Sequence, residues 1–473
     1  MKKSLICCII VAIAILAAVS VSYLVLRQSS NTAKTLENPV DFYNKSCSKI
    51  RTAEQLELSA LILTKSNVNG CEFTESNEQT FRASSLDSEK MKAQRTQTIV
   101  SGNHKTELTE TYLGGNAYIM LSGCLFSGPC EAQDFLQQTP PPVLLDSANY
   151  SHIQGTIQGN HAVISFSGAK QIESWLPIEN AKLVDAQGTA SIVDSKLIKC
   201  DYSITYRVAD ALVTKQYTVH IADTVAHAIA TNVDIDNYTK ISSPYAPLAL
   251  EIAAGYLSQA PAVSAKYEEF ILCEAFGDTR EKNVNIYLSQ QDAWCAKLIT
   301  SVCLSNTSQT DKAVEMRQTE TYINGKHLVS QNGSDPKEDA TTTEAALRTY
   351  CNELLLGTII LPQHITCVEI TQTPSAYRIV YNVNDEFVRN VSHYACNTLY
   401  NDASILERIA NDEEGAIANC YLEVSKDTLL PLASGVQYTN SYTINGLRYP
   451  LIYEARHQYT LPDLNAREQI LIS

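Results

Sequence analysis

Apolar residues in this chain alternate more often than they recur at helical spacing. Tyr202, Ile204, Tyr206 and Val208 fall on one side of an extended segment, with Ser203, Thr205 and Arg207 on the other. That is the period-two pattern of a half-buried strand. Similar runs predict strands at 155–157, 162–166, 191–193 and 215–221, and again at 286–288, 298–304, 377–383, 436–444 and 451–459. Asn445-Gly446, between the last two, is a tight-hairpin signal. Helical periodicity is confined to the first part of 39–60 and to 248–256, 341–356 and 404–410. Asp339 or a neighbouring threonine is placed to cap 341–356. Residues 133–145, with Pro140-Pro141-Pro142, read as a short helix and a loop. Long neighbouring strands joined by hairpins, with few helices, predict an α+β chain built on antiparallel sheets.

The pattern repeats. Thr109-Glu110-Thr111-Tyr112-Leu113-Gly114-Gly115 returns as Thr319-Glu320-Thr321-Tyr322-Ile323-Asn324-Gly325. Asn38-Pro39-Val40 and Ala246-Pro247-Leu248 each precede a helical segment, and Gly188-Thr189-Ala190 and Gly415-Ala416-Ile417 each open a closing run of strands. The period is far beyond the roughly 20–50 residues of solenoid units. The order of landmarks predicts two tandem globular domains, 38–225 and 246–473, joined by a linker at 226–245. The matched segment itself holds no nucleophile, base or ligand set and reads as shared hairpin punctuation.

Ahead of the first copy, Lys2 and Lys3 precede an apolar or small-residue run from 5 to 26. A helix of that length reaches about 33 Å, enough to cross a bilayer core. Residues 1–27 are therefore expected to be an uncleaved signal-anchor helix, and 28–37 a polar stalk. The bulk of the chain then lies outside the cytoplasm, or is secreted if the segment is cleaved after Ala18-Val19-Ser20.

An opening helix, a run of strands, an intervening helix and a closing meander, with Tyr112-Leu113-Gly114-Gly115-Asn116-Ala117-Tyr118 at a strand-turn-strand, resemble the lipoprotein-carrier (LolA-like) superfamily. The resemblance implies an incomplete, strongly curved antiparallel barrel around helices, one half-barrel per copy, able to hold acyl chains. Tyr322–His327 lacks the second tyrosine of that stretch. No functional residue is carried over.

Composition narrows the function by exclusion. A net charge of −15 argues against nucleic acid and against an electrostatic grip on anionic lipid, since both need basic patches. The nine histidines form neither a His-x-x-x-His nor a His-Glu-x-x-His pair, and no Cys-x-x-Cys occurs beside them, so no metal site is expected. Ser101-Gly102-Asn103-His104 lies in one turn and is no hydrolase signature, and there is no Gly-x-Ser-x-Gly elbow. Asp234-Ile235-Asp236 and Asp412-Glu413-Glu414 read as solvated acidic loops. Of twelve cysteines beyond residue 27, Cys124 and Cys130 flank a Gly-Pro turn and are the local candidates for a disulfide. The 25 tyrosines against 9 phenylalanines fit either ordinary strand packing or a ligand-lined concavity.

The expectation is a membrane-anchored, extracytoplasmic, non-enzymatic protein, without cofactor, that binds a lipid or other apolar ligand or an envelope partner through its curved sheets. The alternative is a cell-surface interaction module with no ligand pocket.

Overall fold

The computed structural model describes residues 33–51, 55–84, 90–137, 150–169, 181–208, 211–222, 229, 233–274, 277–290, 293–306, 314–400, 416–426, 428, 430–444, 446–463 and 465–471. The proposed membrane helix at 1–27 and the helix expected at 404–410 lie outside them. Among the described residues no helix is long and apolar enough to cross a membrane.

Two large antiparallel sheets carry the fold. The first unit holds β1 (Lys34–Thr35), β2 (Gln55–Val68), β3 (Cys71–Ser84), β4 (Lys92–Ser101), β5 (His104–Leu113), β6 (Asn116–Leu121), β7 (Cys124–Pro129), β8 (Tyr150–Gln158), β9 (His161–Ala169), β10 (Lys182–Val193), β11 (Lys196–Val208) and β12 (Ala211–Ile221), with β13 (Thr239–Lys240) at its edge. The second holds β14 (Ala262–Cys273), β15 (Asp278–Ser289), β16 (Cys295–Asn306), β17 (Val314–Ile323), β18 (Lys326–Gln331), β19 (Lys337–Glu338), β20 (Ile365–Gln372), β21 (Ala376–Val383), β22 (Ile417–Ser425), β23 (Pro431–Ile444) and β24 (Leu447–Thr460). The helices are α1 (Pro39–Arg51), α2 (Ala132–Gln137), α3 (Ala246–Gln259), α4 (Glu344–Leu356), α5 (Asp385–Tyr400) and α6 (Ala466–Leu471).

Both units have one topology. In each, an opening meander is interrupted by a helix and followed by a closing meander whose last strand pairs with the first: β12 with β2, and β24 with β14. Neither sheet closes on itself, so each is a half-barrel. The repeated segment ends β5 and β17, which occupy the same place in the two orders. Gly114-Gly115 and Asn324-Gly325 all have positive φ between strands paired at Leu113↔Asn116 and Ile323↔Lys326. This is the two-residue hairpin that favours glycine and asparagine. Tyr202, Ile204, Tyr206 and Val208 are all buried as the alternation predicts.

Two expectations shift. Lys34 and Thr35, expected in the stalk, pair with β8 at the sheet edge, and Leu36 packs on the core. The linker also ends in structure: β13 runs parallel to β7, where Gly128 lets the Ile241 carbonyl approach so closely that a Cβ would sit 2.3 Å away. Two helices were not anticipated: α5, which buries Val391, Ser392, Ala395 and Cys396, and the short α6, which buries Ala466 and Ile470.

Helix α3 opens the second unit yet packs against both. Its Ala246 carbonyl accepts from the Tyr381 hydroxyl of β21 (3.2 Å). At its other end, Gly255 lies on Ser101 of β4, where a Cβ would meet the Ser101 Cβ at 2.9 Å. Tyr256 stacks edge-on against Phe73 of β3 at 5.9 Å. Glu251 meets His104 at 2.6 Å. The helix is apolar nearly all round, as a helix buried on two sides must be.

Candidate functional site

Cross-strand register lines the inner faces up row by row. In the second unit one row is Glu269, Lys282, Val302, Met316, and the next is Ile271, Arg280, Leu304, Val314. The equivalent rows of the first unit are Ile62, Asn77, Ile99, Thr106 and Thr64, Glu75, Ser101, His104.

The two sets meet different fates. In the first unit, α3 lies over the row end at Ser101 and His104, and Ser101 and Thr106 are 5% and 3% exposed. In the second unit the same places carry apolar side chains left open: Leu304 is 38% exposed, Val314 58% and Met316 50%. Met316, with Val302, lines a concavity of about 330 Å³ together with Arg280, Lys282, Thr300, Gln318, Glu320 and Tyr350 of α4, and Leu304 and Val314 stand one row beyond it. Small-molecule sites begin at roughly this size and combine apolar walls with a few placed polar groups.

The polar groups are ordered. Glu269 is buried and takes the Tyr267 and Tyr394 hydroxyls on one oxygen, each at 2.8 Å. Its other oxygen is held by the Arg280 guanidinium. Lys282, directly across from Glu269 in register, lies over the Tyr267 ring at 5.8 Å. Burial pushes its ammonium below the ordinary lysine value, the charge of Glu269 opposing. At the far end Glu320 Oε2 is 3.2 Å from His327 Nε2, and His327 Nδ1 is 3.3 Å from Asp339 Oδ2. Hydrogen bonds from Thr341 and Thr342 hold the Asp339 carboxyl well below the usual carboxylate range. They also order the approach to α4, whose N-cap is Thr343 rather than Asp339.

Glu320 belongs to the repeated segment, and its counterpart Glu110 also faces inward. Arg95 lies opposite Glu110 and grips it with Nε at 2.5 Å and Nη2 at 2.6 Å, both side chains being fully buried. Gln97 adds a bond to Glu110 (2.7 Å), and the Phe135 carbonyl accepts from Arg95 (3.1 Å). The residue opposite Glu320 is Leu298. The echo therefore does carry chemistry, which periodicity alone did not reveal. The signal available in the sequence was a glutamate at one position of both copies.

Other sequence candidates stay apart. Cys124 and Cys130 are free thiols, a correction with a geometric cause. Between them β7 runs extended, so their Cα atoms are about 20 Å apart at roughly 3.3 Å per residue, against the 7 Å limit for a bridge. The Gly-Pro pair ends the strand and makes no turn back. Ser101, Gly102 and His104 form the seat of α3. The Asp234 carboxylate accepts from the Asn237 side-chain amide (2.8 Å), and 412–414 lie outside the described residues. Among the described residues no group of three His, Cys, Asp or Glu side chains is arranged to hold a metal.

No family model matches the chain, and no curated protein matches it in sequence. Among solved structures it is similar to LprF from Mycobacterium bovis at 12% identity and TM-score 0.26, over 42% of this chain and 98% of that one. A putative AttH from Nitrosomonas europaea is similar at 8% identity and TM-score 0.13, over 89% of this chain and 96% of that one. A protein of unknown function from Nostoc punctiforme follows at 7% and 0.12, over 89% and 100%. At these scores the likenesses fix neither family nor function.

Proposed function

We propose that this is a non-enzymatic, membrane-anchored extracytoplasmic protein that holds a lipid or other apolar ligand on the concave face of its second half-barrel. The observation that carries the reading is the open apolar strip Leu304, Val314 and Met316, placed where the first unit is polar and covered by α3. Apolar side chains left open at the edge of a concavity mark a binding surface. The LolA-like resemblance of the element order points the same way. The first unit, filled by the chain's own helices, serves as the rigid support.

Native mass spectrometry of the full chain released from detergent tests this. We expect a bound lipid adduct that is lost when Val314 and Met316 are both changed to Asp. No adduct, or one kept by that variant, overturns the reading and leaves an interaction module without a ligand pocket.

A further inference from the structure

We infer that the second concave face selects a single-chain amphiphile with an anionic head, a carboxylate or a phosphate monoester, seated on Lys282 with its tail along Leu304, Val314 and Met316. The inference rests on the binding reading above and adds the head group.

Lys282 stands between the two parts of the site. It is next to Val302 in the row that runs on to Met316, and one row from Leu304 and Val314. Its natural counter-ion is taken: Arg280 and two tyrosine hydroxyls occupy both oxygens of Glu269. Among the described residues Lys282 makes no ion pair. Of the other charges facing the concavity, Arg317 is engaged by Glu315 at 2.8 Å, and Glu320 is engaged by His327 at the opposite end. The Glu269–Arg280–Lys282 group thus carries an excess positive charge inside a chain of net −15. A half-buried ammonium with no carboxylate is costly unless an anion completes it. An ammonium is a point charge, so it accepts a carboxylate or a phosphate without demanding fork geometry. The first unit has Asn77 here, with its amide bonded to Gln97 at 2.8 Å, and offers no such charge.

The test is photo-crosslinking of the full chain with diazirine-bearing dodecanoic acid, dodecyl phosphate and dodecanol, mapped by peptide mass spectrometry. We expect both anions to label β16 and β17 about tenfold more than the alcohol, the scale of one charge-assisted hydrogen bond. Lys282→Met should lower anion labelling to the alcohol's level while leaving alcohol labelling unchanged, and Lys282→Arg should restore the anions. A preference for one anion over the other names the head group. Equal labelling by alcohol and anions overturns the head-group inference and keeps the binding reading. Absence of labelling on β16 and β17 by all three overturns both.

Discussion

One scaffold has been resolved in two opposite ways. At the inward glutamate of the repeated segment, the first unit supplies Arg95 and closes a dry ion pair roofed by Phe135. The second places Leu298 opposite Glu320 and meets the acid from the side with His327. Three inward rows on, polar Ser101 and His104 receive a helix, whereas among the described residues apolar Leu304 and Val314 stay open at 38% and 58% exposed. The difference shows how a half-barrel chooses between core and cavity. The turns and pairings are shared, and a handful of cross-strand partners decide what can lie on the face.

The comparison breaks most visibly at Arg95. Giving the first unit the second unit's residue, Arg95→Leu, leaves Glu110 buried without its counter-charge and should destabilise by about 3–5 kcal/mol. Adding Glu110→Gln should recover most of that loss. Urea midpoints, with hydrogen exchange on β4 and β5, would show it, and a neutral Arg95→Leu would sink the account.

The next effect is one of pH. His457, fully buried in the second unit between the Tyr267 and Tyr459 rings, donates or accepts at Thr358 (2.8 Å) and is pushed down to about 4 by burial. The first unit has Val219 at this place. The folded value lies below the ordinary 6.5, so the unfolded chain binds the extra proton between the two. The contribution is full above about 6.5 and is lost as pH falls towards 4, a range worth on the order of 3 kcal/mol. His457→Val should flatten that part of the stability–pH curve; an unchanged slope would refute the assignment.

Smaller again, Gly255→Val drives a side chain into Ser101 and should cost about 1–3 kcal/mol by overpacking. Exchange should rise on β4 and β5 and stay level on β16 and β17. Smallest of all, Met316→Ser removes an exposed apolar group and should move stability by no more than about 0.5 kcal/mol. A larger loss would mean the strip is core and not binding surface.

Strand positions were legible because a sheet with one solvated face imposes alternation, and Tyr202 to Val208 show it undiluted. The duplication was legible because turns need particular residues, glycine or asparagine at positive φ. What faces Glu110 or Glu320 was not, because register is set by long-range pairing that one strand's sequence does not contain. Helix α5 escaped because Asn, Thr and Ser dilute its periodicity. The seat of α3 escaped for a better reason. Its all-round apolar composition signals burial on two sides but does not say which two.

The sharing of α3 has a consequence for the order of synthesis. All strands of the first sheet but the short edge strand β13 are in place when Ile221 pairs with β2, but the segment that covers Ser101 and His104 ends at Gln259. At roughly 5–20 residues per second, a nascent chain holds that face bare for some seconds. The polar character of those rows then has a second use. A growing half-barrel with Ser, Thr, His and Glu at its open rim is far less adhesive during that interval than one lined like its successor.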